Sequence, residues 1–266
     1  MIAAIPGGAS PSLVLREDHA GVARITLNRP EQLNALTRGL LVALEATLAE
    51  LAGDPSVRVV VLAGAGRAFC AGHDLREMRE ECPPPEIESL LGTCARVMRS
   101  LTELPQPVIA RVHGVATAAG CQLVAACDLA IASTAARFAT SGIDAGLFCA
   151  TPAVPISRSI GRKRALEMLL TGEFIDADTA LQWGLVNRVV APDGLDRALG
   201  ALCATLLAKP AAVLASGKRF FYRQLELDMA DAYTEAVKLL AAHALAEEGR
   251  EGMRAFLDKR APHWPR

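Results

Sequence analysis

The 266-residue chain lacks the features that would assign it at once to nucleic acid or to a membrane. Its formal net charge at pH 7 is −1, so no excess of positive charge favours an anionic partner. No run of about 18 clean apolar residues is present, because the nearest candidate, residues 114–133, contains Gln122 and Asp128. The N-terminal segment MIAAIPGGASPS has no basic residue, unlike secretory signals and Arg-rich transit peptides. We expect neither a nucleic-acid partner nor a membrane partner.

Paired cysteines are absent as well. The seven cysteines are an odd number without CxxC spacing, and most of them lie in apolar stretches. This pattern indicates reduced, buried thiols, so we expect a cytoplasmic protein. Cys121 and Cys149 could line a pocket, but the sequence offers no evident histidine partner for a nucleophilic thiol.

Common catalytic and cofactor motifs also fail to match. The five histidines include no HExxH pair or other ligand spacing, so no metal is assigned. No GxSxG elbow of a serine hydrolase occurs. Gly64-Ala65-Gly66 follows a predicted strand like the start of a dinucleotide fingerprint, but Phe69 stands where the third glycine belongs.

What is present is the composition of an ordered globular protein, with 52% hydrophobic and 21% charged residues. Alternation predicts a hairpin of strands 13–16 and 22–27, and Thr37 is expected to cap an amphipathic helix. Further strands are predicted at 57–62, 108–112, 129–131 and 185–190, with helices at 86–104, 164–170 and 176–182. Residues 137–161 are predicted as loop and short helix. Beyond Pro192 the sequence predicts helices only, at 192–208, 210–226, 229–246 and 248–258.

Two segments each combine a strand, a turn of small residues and a helix. In the first motif segment, residues 57–78, a β-branched strand precedes the small-residue loop 64–72. In the second motif segment, residues 108–132, small residues from Ala116 to Gly120 precede a helix. Such a helix presents free N–H groups and the positive end of its dipole to a ligand. The alternative is that the small residues only let the helix pack tightly on a sheet.

The two segments together resemble a known family. AFCAGHDL at 68–75 and HGxAxxAGCxLxxxCD at 113–128 resemble the two signature segments of the enoyl-CoA hydratase/isomerase (crotonase) superfamily. The resemblance extends from LNRPEQLNAL at 27–36 to EGMRAFLDKR at 251–260. It implies an α/β fold, a ClpP-like spiral of ββα units over residues 1–191 that holds the acyl-CoA site. It also implies an all-helical extension over residues 192–266 that covers the active site and builds a homotrimer or a dimer of trimers.

The resemblance assigns an oxyanion hole to the backbone N–H groups of His73 and Ala119. In the family these two donors hold the thioester oxygen as it gains negative charge, and each such donor commonly contributes a few kcal/mol. The implied ligand is an acyl-CoA thioester of fatty acid metabolism. Coenzyme A is then part of the substrate, and no separate cofactor is expected.

The proton-transfer groups of hydratases are missing. Gln122 and Gly142 stand where hydratases of the family carry glutamates, and neither can transfer a proton. The same replacements are implied by a resemblance to a narrower subgroup, the enoyl-CoA hydratase domain-containing proteins. Asp144 is a candidate acid or base, or else a solvated loop residue. Methylmalonyl-CoA decarboxylase, a member of the family, resembles this chain in having a histidine at the position of His73. The His73 side chain either packs, bonds to Asp74 or takes part in chemistry.

Contacts to the CoA moiety are also carried over from the family. Gln32 and Leu33 match the segment along the pantetheine and adenine, Arg67, Ala71, Leu75 and Arg76 match the contacts of the first motif segment, and Phe256 and Lys259 match residues that reach a neighbouring subunit's CoA. The three cations of this set are suited to the phosphates of CoA.

The leading hypothesis is an enoyl-CoA hydratase-like lyase that acts through enolate chemistry, nominally converting 2-enoyl-CoA to 3-hydroxyacyl-CoA. Within the enzyme class, isomerisation, decarboxylation and hydrolysis of a CoA thioester are alternatives. A different class is a non-catalytic acyl-CoA binder or assembly subunit, which the lost glutamates favour.

Overall fold

The chain begins its ordered structure with a hairpin. The computed structural model describes residues 12–79 and 81–264. Strands β1 (Val14–His19) and β2 (Val22–Leu27) pair antiparallel. The turn at Ala20 and Gly21 has positive φ at both residues, 48° and 81°, which is the geometry of a tight two-residue hairpin turn. The predicted hairpin is therefore confirmed.

Two sheets run through the core. The remaining strands are β3 (Val59–Gly64), β4 (Ala68–Cys70), β5 (Val108–Val112), β6 (Val115–Thr117), β7 (Leu129–Ser133), β8 (Arg137–Ala139), β9 (Ile175–Asp176) and β10 (Arg188–Val190). One sheet has the order β1-β2-β3-β5-β7-β10 and the other β4-β6-β8-β9. From β2 to β10 every neighbour in the six-stranded sheet is parallel. The sequence missed the smaller sheet, because strands of two or three residues are too short to show alternation.

Ten helices surround the sheets in the part of the chain that the structure describes. They are α1 (Arg38–Ala52), α2 (Pro84–Glu103), α3 (Ala119–Ala126), α4 (Ala150–Ser159), α5 (Arg162–Thr171), α6 (Ala177–Trp183), α7 (Leu195–Leu207), α8 (Ala211–Gln224), α9 (Met229–Leu245) and α10 (Glu247–Leu257). Thr37 caps α1 as predicted, because its hydroxyl accepts a hydrogen bond from the Leu40 N–H at 3.2 Å. The five leucines of α1 are buried together, so the predicted apolar face is confirmed.

The order of elements repeats a simple unit. A strand of the large sheet is followed by a strand of the small sheet and a helix, as in β3-β4-α2 and β5-β6-α3. This is the spiral of ββα units that the resemblance implies, so the α/β fold class is confirmed. Residues 137–161 differ from their prediction, because they contain β8 before the expected helix α4. The strand predicted at 185–190 is shorter in the structure, where β10 begins at Arg188. Leu185 and Val186 are buried, but they lie in the connection between α6 and β10.

The C-terminal helices differ in how they meet the core. Helix α7 packs on the six-stranded sheet, where its Leu195 and Leu199 share an apolar cluster with Val59, Val61 and Ile109. Helices α8 and α9 have no fully buried residue. The division of the chain at residue 192 stays a prediction.

The helices were also compared with what a bilayer requires. Within residues 12–79 and 81–264, no single helix is both long and apolar enough to span a membrane. In that described part of the chain, one pair of helices, Pro192–Leu207 and Ala211–Gln224, bent by 102°, reaches that length and composition jointly.

Candidate active site

Two glycines allow the two motif segments to pack backbone against backbone. A Cβ atom on Gly120 would lie 2.0 Å from the carbonyl oxygen of Cys70 in β4. A Cβ atom on Gly72, which has a φ of +92°, would lie 2.9 Å from the Cβ of Ala118 and 3.3 Å from the nitrogen of Ala119. Only glycine permits these approaches. The start of α3 is therefore held directly against the loop that follows β4.

The two N–H groups assigned to the oxyanion hole are unused where the segments meet. The Leu36 N–H donates to Gly72 O at 2.7 Å, and the Asp74 N–H donates to Leu36 O at 3.0 Å. Because alternate N–H groups of an extended segment point to opposite sides, His73 directs its N–H away from Leu36. Ala119 is the first residue of α3, where backbone N–H groups have no helical acceptor. Among the described residues, neither N–H donates to a protein acceptor.

The turn into α3 is strained. Ala118 has φ 49° and ψ −120°, a conformation that residues with a Cβ adopt rarely. Its own N–H donates to Ala139 O at 3.0 Å, and its carbonyl accepts from the Gln122 N–H at 3.0 Å. These bonds hold Ala118 in place from both sides. Strain of this kind is frequently found at functional sites.

His73 is half-buried, and its Nε2 atom is buried without a hydrogen-bond partner among the described residues. Burial lowers the pKa of His73 below its ordinary 6.5, so the imidazole is neutral at pH 7. Asp74 does not bond to it, because both carboxylate oxygens are taken by arginines. Arg76 donates to them at 2.8 and 2.9 Å and Arg29 at 3.2 Å. These bonds, from Arg76 above all, lower the pKa of Asp74 to about 2.

Gln122 faces a large cavity one turn into α3. It is 2% exposed, and its Oε1 is buried without a partner among the described residues. The cavity, which we name the α3 cavity, has a volume of about 1050 Å³, is open to solvent on one side and is lined by residues of α2, α3, α4 and α8. Its apolar walls include Ala95, Met98, Val154, Pro155, Leu185 and Phe221. An unpaired amide at the wall of such a cavity can bind a polar group of a ligand.

The space beside Gly142, the position to which the resemblance assigns the second glutamate, is filled by other groups. Gly142 lies in a single-turn helix, Ser141–Ala145, after β8. A Cβ on Gly142 would lie 2.7 Å from Cys149 Sγ and 2.8 Å from Leu147 O. No larger side chain fits there unless this turn shifts.

Asp144 lies on the same turn but is exposed. Its two carboxylate oxygens lie 3.2 and 3.3 Å from where a Cβ on Gly172, at the end of α5, would be. Asp144 is not part of the wall of the α3 cavity.

The thiols near the site are unsuited to nucleophilic attack. Cys121 and Cys149 are both buried. Burial raises the pKa of Cys121 to about 12 and that of Cys149 above its ordinary value. Cys149 Sγ also donates to Thr140 O at 3.4 Å. The described part of the chain contains no group of three side chains that could ligate a metal ion.

Six of the eight residues matched to CoA contacts lie on two neighbouring segments. The segments are joined by the Ala71 N–H, which donates to Leu33 O at 3.0 Å. Gln32, Arg67, Leu75 and Arg76 are exposed beside this junction. Arg76 is already paired with Asp74, whereas no acidic side chain of the described residues pairs with Arg67. Phe256 and Lys259 lie at the end of α10, and Phe256 is 83% exposed.

Asn34 is a structural residue of the site that sequence reasoning missed. It is fully buried with φ 56°, and its Nδ2 donates to the carbonyls of Ala65, Ala68 and Phe69 at 2.8 to 3.1 Å. Its Oδ1 accepts from the Arg29 N–H at 2.9 Å. Asn34 thus fixes the loop between β3 and β4 to the segment that carries Gln32. An asparagine in a turn is a signal for left-handed backbone, but not for these distant bonds.

Curated relatives bear on the expected compartment. A Xenopus laevis protein named "Enoyl-CoA hydratase domain-containing protein 3, mitochondrial" is 42% identical over 96% of this chain and 86% of its own length. Similar proteins of the same name occur in Homo sapiens and other vertebrates. These names contradict the expectation of a cytoplasmic protein, which was wrong. Reduced thiols are typical of more than one reducing compartment, so the cysteine pattern could not favour the cytoplasm over the others.

Solved structures and a family profile agree on the lineage. The crystal structure of an enoyl-CoA hydratase of Mycobacterium smegmatis matches with a TM-score of 0.93 and 54% identity, covering 95% of this chain and 99% of that chain. Human enoyl Coenzyme A hydratase domain-containing protein 3 matches with a TM-score of 0.92 and 38% identity, covering 95% and 100%. The family described as Enoyl-CoA hydratase/isomerase matches residues 17–266. The chain therefore belongs to the enoyl-CoA hydratase/isomerase family of the crotonase superfamily, in the enoyl-CoA hydratase domain-containing subgroup.

Proposed function

We propose that the protein binds an acyl-CoA thioester and stabilises its enolate-like form through the backbone N–H groups of His73 and Ala119. The observation that supports this most is the pair of unused N–H groups where Gly72 and Gly120 bring the two motif segments together. Backbone donors held by close packing need no rearrangement when charge develops on the thioester oxygen. Losing one such donor commonly costs about 10²–10³-fold in rate.

We propose that the CoA moiety lies along the junction of the two segments. Gln32, Leu33, Ala71 and Leu75 would contact its pantetheine and adenine, and Arg67 is the cation there without a described acidic partner. Arg76 would contribute a weaker charge, since Asp74 already neutralises it. Coenzyme A enters as part of the substrate, and we propose no separate cofactor.

We propose that the acyl chain enters the α3 cavity beside Gln122. The cavity volume of about 1050 Å³ is at the upper end for small-molecule sites, and its apolar walls suit a hydrocarbon chain. A crotonyl group would leave most of this space empty. The proposed substrate class is therefore an acyl-CoA with a chain longer than crotonyl.

Assembly into a homotrimer or a dimer of trimers is part of the proposal. Met229, Tyr233, Val237 and Leu240 are spaced along one face of α9 and are each at least 67% exposed. An apolar face of this extent favours burial against another subunit. Phe256 and Lys259 would then reach the CoA of a neighbouring subunit. A stable monomer in light scattering at micromolar concentration would contradict this assembly.

The nominal reaction of the family, hydration of a 2-enoyl-CoA, has weak support at this site. Hydration requires two proton-transfer groups on one water, and Gln122 and Gly142 supply none. Asp144 is exposed and its carboxylate lies against Gly172, which gives isomerisation by that carboxylate no support. The neutral imidazole of His73 is the remaining titratable group beside the proposed oxyanion hole, and another enolate reaction through it is the second candidate. The third is an acyl-CoA binder without turnover.

The test uses the thioester carbonyl as a reporter. Bound octanoyl-CoA labelled with carbon-13 at the carbonyl should show an infrared stretch at lower frequency than in water, because two N–H groups polarise it. Ala119→Pro removes one donor and should reverse much of that shift. Ala211→Pro, at the exposed first residue of α8, is the matched control for a proline at a helix start. A folded Ala119→Pro protein with the full frequency shift would exclude this oxyanion hole.

A further inference from the structure

A buried cluster joins the C-terminal helices to the far end of α3. It consists of Asp128, two residues after the end of α3, and of Lys218 and Tyr222 on α8. We name it the Asp128 cluster. Lys218 Nζ lies 2.6 Å from Asp128 Oδ2, and the Tyr222 hydroxyl donates to Asp128 Oδ1 at 2.8 Å. The backbone N–H of Val108, at the start of β5, donates to Asp128 Oδ2 at 2.6 Å. Asp128 thus fixes backbone, as its place at a helix end predicts.

Every donor of the lysine is used. Besides Asp128, Lys218 donates to Leu101 O at 2.8 Å and to Gln106 O at 2.9 Å, at and beyond the end of α2. An ammonium group has three donors, so its geometry is completely satisfied. The Lys218 side chain is 7% exposed and that of Asp128 15%. Burial lowers the pKa of Lys218 and raises that of Asp128, while their mutual attraction opposes both shifts.

The cluster is a buried polar attachment of α8. No residue of this helix is fully buried, and residues 213–218 are half-buried. Helix α8 supplies Arg219, Phe221, Tyr222 and Arg223 to the wall of the α3 cavity. The ion pair between Lys218 and Asp128 therefore helps to set the position of these wall residues.

The cluster also holds the helix whose first N–H belongs to the proposed oxyanion hole. Helix α3 has eight residues, about 12 Å at 1.5 Å per residue, and it is too short to bend appreciably. One end is pressed on Cys70 through Gly120, and the other continues into Asp128. A shift of Asp128 would move α3 as a rod and displace the Ala119 N–H.

We infer that Lys218 and Tyr222 are positioning residues for the acyl-CoA site, which act through Asp128 on both α3 and the wall of the α3 cavity. The inference rests on the proposed function, since it concerns the thioester carbonyl and the acyl chain. The proposed CoA contacts at Gln32, Leu33 and Arg67 lie on other segments, so the cluster should influence the acyl end of the ligand and not its nucleotide end.

The test compares binding of octanoyl-CoA with binding of free CoA. Lys218→Met keeps most of the side-chain length but leaves Asp128 without its cation. It should weaken octanoyl-CoA about tenfold or more, because one hydrogen bond to a charged group is of that order. It should also reverse part of the infrared shift of the labelled carbonyl. Free CoA should bind within about twofold of the wild type, as expected for an independent site.

A control variant on the same helix separates positioning from general destabilisation. Ser216→Ala breaks the 2.8 Å hydrogen bond between Ser216 and His243, which joins α8 to α9 and not to the core. It should leave both ligands and the infrared shift unchanged. If Ser216→Ala weakens octanoyl-CoA as much as Lys218→Met does, the inference is overturned.

The remaining outcomes are also decisive. A folded Lys218→Met protein with wild-type octanoyl-CoA affinity and infrared shift overturns the inference alone. A wild-type protein that binds octanoyl-CoA without any infrared shift overturns the proposed oxyanion hole, and the inference with it. If Lys218→Met does not fold, Tyr222→Phe decides in its place, and loss of part of the infrared shift is then required.

Discussion

The proposed site has two halves that differ in what builds them: the backbone N–H groups of His73 and Ala119, and the side chains at positions 122 and 142. The first half is backbone, held by Gly72 and Gly120 at distances that no other residue allows. The second half is side chains, and there this chain has an amide and a glycine at the positions where the resemblance implies acids. Backbone geometry depends on the whole fold, whereas a side chain can be exchanged locally. The family's ability to bind a thioester can therefore persist where its proton transfer has been lost.

The largest expected effect concerns hydration. Crotonyl-CoA should be hydrated slower than by an ordinary hydratase by about 10⁴-fold or more, since two general acid–base groups contribute roughly 10²–10⁴-fold each. The measurement is loss of absorbance of the enoyl thioester. Asp144→Asn should not slow the residual rate, because this carboxylate lies against Gly172. A wild-type rate typical of hydratases would contradict this interpretation of the second half.

Restoring the acids sharpens the comparison. Gln122→Glu with Gly142→Glu should fail to restore hydration, because a side chain at 142 meets Cys149 Sγ and Leu147 O. Adding Cys149→Ala removes one obstacle but leaves the carbonyl. The triple variant should be less stable than Gln122→Glu alone in urea denaturation. Full hydratase activity in the double variant would show that the turn at 141–145 moves freely.

The second largest effect is expected from a substitution that disrupts the close backbone packing of the first half. Gly120→Ala would bring a Cβ to 2.0 Å from Cys70 O, so it should lower the free energy of unfolding by about 3 kcal/mol or more. Gly200→Ala is the matched control, because Gly200 lies in the middle of α7 and an added Cβ there would meet no other atom within 4 Å. It should raise stability by about 0.5–1 kcal/mol, because alanine favours a helix. Equal effects of the two changes in urea denaturation would contradict the packing argument.

A third and smaller effect tests the α3 cavity. Octanoyl-CoA should bind more tightly than butyryl-CoA, by up to about 3 kcal/mol if all four extra methylene groups are buried at about 0.8 kcal/mol each. Ala95→Phe, on the cavity wall, should remove this preference and leave butyryl-CoA binding unchanged. Calorimetric titration with both thioesters provides the comparison. Equal affinity of the two thioesters for the wild type would place the acyl chain outside the cavity.

The smallest expected effect is on stability against pH. Burial lowers the pKa of His73 below 6.5, so the unfolded chain binds the proton more tightly than the folded protein does. The stability contribution of neutral His73 is present above pH 6.5 and is lost as the pH falls through the folded pKa. The free energy of unfolding should therefore decrease as the pH falls from 7 towards 5. His73→Gln should flatten this part of the dependence, measured as urea denaturation across this pH range.

Several elements could be predicted from the sequence because their cause is local. The hairpin, the Thr37 cap and the leucine face of α1 depend on residues within a few positions of one another. The two motif segments and the spiral of ββα units followed from a resemblance that covers most of the chain. The smaller sheet was missed because its strands are too short for periodicity to appear.

What the sequence alone determined is the list of available groups: glycines at 72 and 120, no carboxylate at 122 or 142, and no metal-ligand or nucleophile motif. The tertiary structure decided how those groups meet. In the fold, Cys149 occupies the space beside Gly142, and Asp74 bonds to two arginines and not to His73. Tyr222 reaches Asp128, which lies 94 residues earlier in the chain. Such contacts depend on distances between remote segments. Local patterns carry no information on those distances, because only the packing of the whole core sets them.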